Sequence, residues 1–275
     1  MRRVPVPDPP AALLSAAAAA EREQALASAH FSGGNWQARE AQRRTRFRFQ
    51  VYRTPGIKQA LEAAFHTLCA FCETAYAAAS TGDIEHYRPK GPVTTPNGPK
   101  PGYYWLAASW HNLLPSCPRC NRTEWHTYDA GVRVRSGKGS VFPLEDESKR
   151  ATRPGEEHDE RPLLLHPYWD DPDKHITFER DGCARPRDGD ARGEETIRTL
   201  GLNRPDLLDQ RRTRLAHLQT VLVRWRDMKA LVDAEPHRDE FHRWLREIEE
   251  ELEEMLRPGQ PYATAVAHYL GLARS

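Results

Sequence analysis

Two Cys-x-x-Cys pairs, Cys69 with Cys72 and Cys117 with Cys120, constrain this chain more than any other feature. In a reducing compartment, knuckles of this spacing read as one tetrahedral zinc site rather than as disulfides. Four thiolates leave no open coordination position, so such an ion is structural. Its effect on folding is topological, because it clamps two distant segments and makes everything between them one excursion. The competing reading is that these are small buried residues that pair by chance. The fifth cysteine, Cys183, sits in a polar Asp-Gly-Cys-Ala-Arg stretch and is given no role.

Composition narrows the rest. With 29% charged residues but a net charge of only +1, the chain is no wholly basic nucleic-acid binder, so any phosphate-binding surface must be local. No apolar run reaches membrane-spanning length. The Ala-rich start, Ala11 to Ala20, is too short and too weakly hydrophobic for a signal peptide. A cytoplasmic protein with no membrane association is expected.

Periodicity predicts a helix over 11–29 and, after Pro55-Gly56, another from Ile57 to Leu68 that delivers Cys69. Between them lies a basic stretch, 37–53, in which Phe47, Phe49 and Tyr52 alternate with arginines. A short strand around 46–52 and a helix end are both open there, as are an extended phosphate-binding surface and a merely solvated face. Residues 91–102, rich in Pro and Gly, form a loop. Residues 129–161 read as a long irregular connection, and His175-Ile-Thr-Phe-Glu as a strand. Leu208, Leu215 and Leu222, with Leu218, Trp225 and Val232, make a heptad-like seam along one long helix. After Pro236 a second helix presents Phe241, Trp244, Leu245, Ile248, Leu252 and Met255, and the two are expected to pack as an antiparallel hairpin.

The stretch from Cys69 to Asn121 carries the chemistry. Glu85-His86-Tyr-Arg88-Pro-Lys90 lies between the cysteine pairs, followed by Trp110-His111-Asn112-Leu-Leu-Pro, and Asn121 comes directly after Cys120. This order resembles the HNH, or ββα-metal, nuclease motif, with hairpin strands expected around 82–88 and 111–116 and a short helix starting near Cys117. Phosphodiester hydrolysis needs a base for water and a cation for the leaving oxygen. The resemblance implies that His86 is the base and that Asn112 braces the loop and helps orient it. It also implies that Glu85 and Asn121 hold a catalytic Mg²⁺ or Mn²⁺, a hard ion suited to oxygen ligands. Glu85 stands where the family usually has Asp. In a regular strand Glu85 and His86 point to opposite faces, so they can share a site only near the hairpin edge or at a bend. From His86 to Thr123 there is no Asp or Glu, and Arg88, Lys90, Arg119 and Arg122 are nucleic-acid-binding candidates. His126 is a weaker candidate for a third metal ligand. His111, His158, His166 and His175 are not expected to be ligands.

Further on, Pro162-Leu-Leu-Leu-His-Pro-Tyr-Trp and Gly193-Glu-Glu-Thr-Ile-Arg-Thr-Leu-Gly-Leu-Asn-Arg-Pro extend the likeness over roughly 55–215. With the motif residues, they resemble the HNH nuclease subunit of Septu and retron-associated anti-phage systems. That resemblance implies an ABC-type ATPase partner and a nucleic-acid substrate, taken as DNA, with tRNA as the alternative. A non-catalytic zinc module that binds nucleic acid or scaffolds a complex is the competing class. The expected fold is α+β and mainly α, with a small ββα-metal module and a four-cysteine zinc site flanked by helices. The expected parts are 1–54, an N-terminal extension, 55–150, the nuclease module, and 151–275, a mostly helical region.

Overall fold

The computed structural model describes residues 1–128 and 131–272. The fold is α+β and mainly helical. Among the described residues the sheets are three separate antiparallel pairs: β1 (Asp83–His86) with β2 (Leu113–Ser116), β3 (Glu124–Thr127) with β4 (Arg133–Ser136), and β5 (Ile176–Phe178) with β6 (Ala184–Pro186). Among the described residues no helix is long and apolar enough to cross a membrane.

The N-terminal helices are α1 (Ala11–Ser15), α2 (Ala17–Ser32) and α3 (Trp36–Ala41). The next, α4 (Ile57–Ala64), stops short of the expected Leu68. His66 and Thr67 take φ of 53° and 60°, and this left-handed turn swings the chain into the first cysteine knuckle. Then come α5 (Pro118–Asn121), whose first turn begins with Pro118, and α6 (Ala191–Leu200). α7 (Pro205–Ala234) and α8 (Asp239–Leu256) form the expected helical hairpin, closed by α9 (Ala263–Tyr269). Its seam largely follows the heptad reading: Leu215, Leu218 and Val232 are buried and Leu222 and Trp225 half-buried, with Val221 buried as well. Leu208 is only half-buried while Leu207 enters the core around Phe71, and Trp244 stays 40% exposed. The interval 129–161 is not wholly irregular, because Arg133–Ser136 returns as β4 against β3.

Packing explains why β1 and β2 are rigid despite their four residues each. Their register sets Asp83 opposite Ser116 and His86 opposite Leu113. Successive residues of a strand face opposite sides, and β2 uses this fully: Leu113 enters a core with Phe31, Ile57, Leu61 and Trp110, while Leu114 enters another with Phe71, Phe142, Leu165 and Leu200. Neither leucine retains any exposure, so the hairpin is pinned from both faces. At roughly 1.5–3 kcal/mol per buried leucine, this packing offsets what two short strands lack in backbone pairing.

One core histidine makes the fold acid-sensitive. His166 is buried, accepts from Tyr168 N–H at Nδ1 (3.1 Å) and donates from Nε2 to the His111 carbonyl (3.1 Å). Protonation would aim a second N–H at a donor, and burial lowers its pKa from 6.5 to about 3. The unfolded chain binds this proton below pH ~6.5, so stability falls as pH drops from there toward 3. The expected loss is on the order of 2 kcal/mol between pH 7 and 5. Urea unfolding at both pH values checks it: His166→Gln should flatten the slope, and an unchanged slope contradicts the assignment.

Candidate functional site

The four cysteines meet. Cys69, Cys72, Cys117 and Cys120 are all buried, and their sulfurs lie within 4.8 Å of one another. Cys72 Sγ and Cys117 Sγ are 3.7 Å apart. A tetrahedron with metal–sulfur bonds of about 2.3 Å has edges of about 3.8 Å, so the cluster fits a zinc ion. Cys183 lies apart, in the β5–β6 turn, with its N–H on Asp181.

Arg204, which sequence reasoning did not single out, completes this cluster. Its buried guanidinium reaches Cys120 (3.6 Å), Cys72 (3.7 Å) and Cys117 (3.9 Å), and its Nη1 also donates to the Leu200 and Gly201 carbonyls. Burial opposes its charge, but Cys120, Cys72 and Cys117 hold the pKa above the ordinary value. Four thiolates around a divalent ion carry a net charge of about −2, and a buried cation against the sulfurs compensates part of it. Because Arg204 caps α7, the helical C-terminal part is tied directly to the thiolate cluster.

A second site lies along β1. A cleft of about 1030 Å³ is lined by Asp83, Glu85, His86 and Asn121. The sheet has only two strands, so β1 has a free edge. Along that edge Glu85 and His86 reach one cleft although neighbouring strand residues alternate. His86 is 3% exposed, and its orientation is fixed twice over. Nε2 lies 2.9 Å from the Ala107 carbonyl, and Nδ1 lies 3.2 Å from Lys90 Nζ. A carbonyl only accepts and an ammonium only donates, so one neutral tautomer, with hydrogen on Nε2 and a lone pair on Nδ1, satisfies both. Burial, reinforced by Lys90, takes its pKa well below 6.5. The Tyr52 ring stands edge-on to the imidazole at 4.6 Å.

Asn112 sits in the loop joining the strands. Its side chain accepts from Arg88 N–H (2.7 Å) and donates to the Arg88 and Leu106 carbonyls (3.0 and 3.1 Å). It thus anchors the turn whose next carbonyl, Ala107, holds His86. Asn121, at the end of α5, donates to Asp83 Oδ2 at 2.9 Å, which leaves its amide oxygen unengaged among the described hydrogen bonds. Glu85 is buried against Lys138, whose Nζ donates to Glu85 Oε1 (2.6 Å) and to the His86 carbonyl (2.8 Å). Burial pushes the Glu85 carboxyl up and the Lys138 ammonium down, and their contact works against both shifts. Oxygen donors at Glu85 Oε2 and Asn121 Oδ1 are the chemistry a hard divalent ion takes, so the set fits Mg²⁺ or Mn²⁺.

The cation candidates divide. Lys90 and Arg122 line the cleft, and Arg122 is braced by both oxygens of Asp83 (3.0 and 2.9 Å). Arg88 turns the other way, into an ion pair with Glu160 (2.9 Å) among the rings of Tyr87, Tyr103 and Phe142. Arg119 pairs with Asp206 (2.8 Å) and does not line the cleft either. The absence of acidic residues over 86–123 made these four look equivalent, but the partners that remove Arg88 and Arg119 lie far along the chain. His126 is buried outside the cleft, where Arg204 and Arg119 lower its pKa after burial.

Lys138 was also missed, although it carried a signal. It is bracketed by glycines, and at Gly137 (φ 105°) a Cβ would lie 1.9 Å from the Arg122 carbonyl. Only there can the backbone press against α5, with Lys138 N–H on the Cys120 carbonyl (2.8 Å), and send the side chain beneath Glu85.

An antiparallel pair and a short helix, a four-cysteine cluster and an acid–imidazole–amide cleft define the class: an α+β protein with a candidate metal centre and a separate polar cleft. No protein-family model matches the chain. It is similar to two proteins named "Septu protein PtuB", one from Bacillus mycoides (strain KBAB4), 39% identical over 170 residues, and one from Bacillus thuringiensis, 28% identical over 159 residues. These matches cover 61% and 58% of this chain but 53% and 45% of the relatives, so the chain spans about half the length of the curated relatives it matches.

Proposed function

We propose that this chain is a metal-dependent endonuclease of the HNH type, acting on nucleic acid as the effector of a Septu-like anti-phage system. One observation carries the reading: Glu85, His86 and Asn121 line one cleft whose cations include Lys90 and Arg122. Its motif resemblance and the name borne by its two relatives support the setting. An ABC-type ATPase partner belongs to the same proposal. DNA is the favoured substrate.

In this reading Glu85 and Asn121 hold Mg²⁺ or Mn²⁺, which when bound stabilises charge on the phosphate and the leaving oxygen. The chain's own groups do the rest. Ala107 keeps hydrogen on His86 Nε2, so Nδ1 is the atom that takes the proton from water. Burial keeps that imidazole neutral and ready to accept. Lys90 sits on Nδ1 in the free protein, and a phosphate offers its ammonium a better acceptor, so substrate binding clears the base. Lys138 keeps one Glu85 oxygen occupied and so orients the other toward the cleft. Zinc at the four cysteines holds α5, and with it Asn121, against β1.

The test is digestion of plasmid, single-stranded DNA and tRNA by the full chain, with and without an ATPase encoded beside it. Reactions contain Mg²⁺, Mn²⁺ or chelator. Cleavage of at least one substrate that requires the divalent ion is expected. Binding without cleavage under every condition would make the chain a zinc-held binding module instead.

A further inference from the structure

We infer that the segment 43–58, outside the nuclease-like motif, forms a second, cationic wall of the His86 cleft that binds the phosphodiester backbone of the nucleic acid beside the reacting bond. The inference rests on the proposed nuclease reading for what happens at His86, but not for the binding itself.

Arg43, Arg46, Arg48, Arg53 and Lys58 all line the cleft that holds Glu85 and His86. The four arginines are exposed, and among the described residues Arg43, Arg48 and Arg53 form no ion pair. The segment is built to present them. Phe47 and Phe49 pack against the core around Phe31 and Trp36 while Arg46 and Arg48 beside them stay exposed, and the segment then closes into a 3-10 turn over Val51–Arg53. Among the described residues no partner strand pairs with it, which is why the strand open at 46–52 does not form. Carboxylates take the backbone instead: Glu40 accepts from Phe47 N–H (2.8 Å), and Glu23 accepts from the N–H groups of Gln50 and Val51. Glu40 also pairs with Arg46 (3.9 Å) and Glu62 with Lys58 (3.5 Å), so among the described residues Arg43, Arg48 and Arg53 are the wall cations left without an acid.

Chemistry points to a polymer rather than a small ligand. Cations stand on both sides of His86, with Arg48 and Arg53 on this wall and Lys90 and Arg122 on the motif side. A cleft of about 1030 Å³ lies at the top of the range for small-molecule pockets, about 300–1,000 Å³. Several exposed cations along such a cleft, in excess over its acids Glu40, Asp83 and Glu85, suit a repeating phosphodiester, shared by DNA and RNA. Tyr52 links wall and base: its ring packs on His86 and lies 4.6 Å beneath Lys90 Nζ. Occupancy of the wall is therefore felt where Lys90 guards the imidazole.

The experiment uses the full, zinc-loaded chain carrying His86→Ala, so that probes survive. Fluorescence anisotropy measures its binding to labelled 20-mers of single-stranded DNA, single-stranded RNA and duplex DNA over a salt series. Adding Arg43→Gln and Arg48→Gln should weaken binding roughly 5- to 30-fold at fixed salt and lower the slope of log K against log[salt] by about 1–2. Adding Arg243→Gln and Arg246→Gln on α8, which removes the same charge away from the cleft, should change the slope little. Equal binding and slope in the wall variant, or no binding by the parent to any probe at low salt, overturns the inference. The two readings separate cleanly. Divalent-dependent cleavage by the chain with His86 intact, together with an unaltered salt slope in the His86→Ala wall variant, sinks the wall and spares the nuclease. A lost slope with no cleavage under any metal supports the wall and sinks the nuclease.

Discussion

Replacing His86 with Ala is expected to lower divalent-dependent cleavage about 10³-fold, while zinc content stays at one ion per chain. Removing a positioned general base typically costs 10²- to 10⁴-fold. Here Ala107 and Lys90 fix the imidazole in the tautomer with its lone pair on Nδ1, and Ala at this position supplies no such acceptor. Truncation also leaves a cavity beside Tyr52, and that separate effect needs a control. His86→Gln keeps most of the volume and a donor for the Ala107 carbonyl but cannot take a proton at neutral pH. It should lose activity nearly as fully while melting close to the unmodified chain. Activity retained by both variants would remove His86 from the chemistry.

Emptying the thiolate cluster is expected to have the largest structural effect. Cys72→Ser or Cys117→Ser should abolish zinc retention and lower Tm by roughly 10 °C or more, because an ion held by the four cysteines would join the knuckle after α4 to the start of α5. Arg204 sharpens this prediction. It touches three sulfurs from the cap of α7, so Arg204→Gln leaves four ligands in place but removes the buried countercharge. Loss of such an outer partner weakens metal affinity about 10- to 100-fold. Transfer of zinc to a colorimetric chelator should accelerate by a similar factor. Arg204→Lys, which keeps the charge but not the fork across three sulfurs, should fall between. Zinc held as firmly by Arg204→Gln as by the unmodified chain would leave Arg204 a merely structural cap.

What sequence reading reached and what it missed follows from the range of the interactions. The cysteine knuckles are signalled by neighbours only a few positions apart, whereas the Glu85-His86 strand, its partner at 113–116 and the short helix after Cys117 were expected through the resemblance to the HNH motif. The two-helix hairpin after Pro205 is signalled locally as well: of its expected seam Leu215, Leu218 and Val232 are buried and Leu222 and Trp225 half-buried, and only at Leu208 does the neighbour, Leu207, take the buried place. β4 escaped because its one apolar residue, Val134, is exposed and the residues its strand pair buries, His126 and Ser136, are polar, which leaves no apolar signature. Lys138 and Arg204 serve sites formed by residues 53 and more than 80 positions away, respectively, and no local pattern encodes such a pairing. The same distance hid the fate of Arg88 and Arg119, whose acidic partners Glu160 and Asp206 lie far downstream. The arginines of 43–53 were visible as charge, yet which way they faced depended on Glu23 and Glu40 pinning the backbone.

The central claim, that Glu85 and Asn121 hold a divalent ion beside the imidazole of His86, can be tested by locating that ion. Crystals of the full chain grown with Mn²⁺ and a non-hydrolysable oligonucleotide would give an anomalous signal specific to manganese. The account requires a peak about 2.2 Å from a Glu85 carboxylate oxygen and from the Asn121 amide oxygen, with a phosphate oxygen completing the set. Manganese bound elsewhere, or a strand seated in the cleft with no ion between those two side chains, would contradict it.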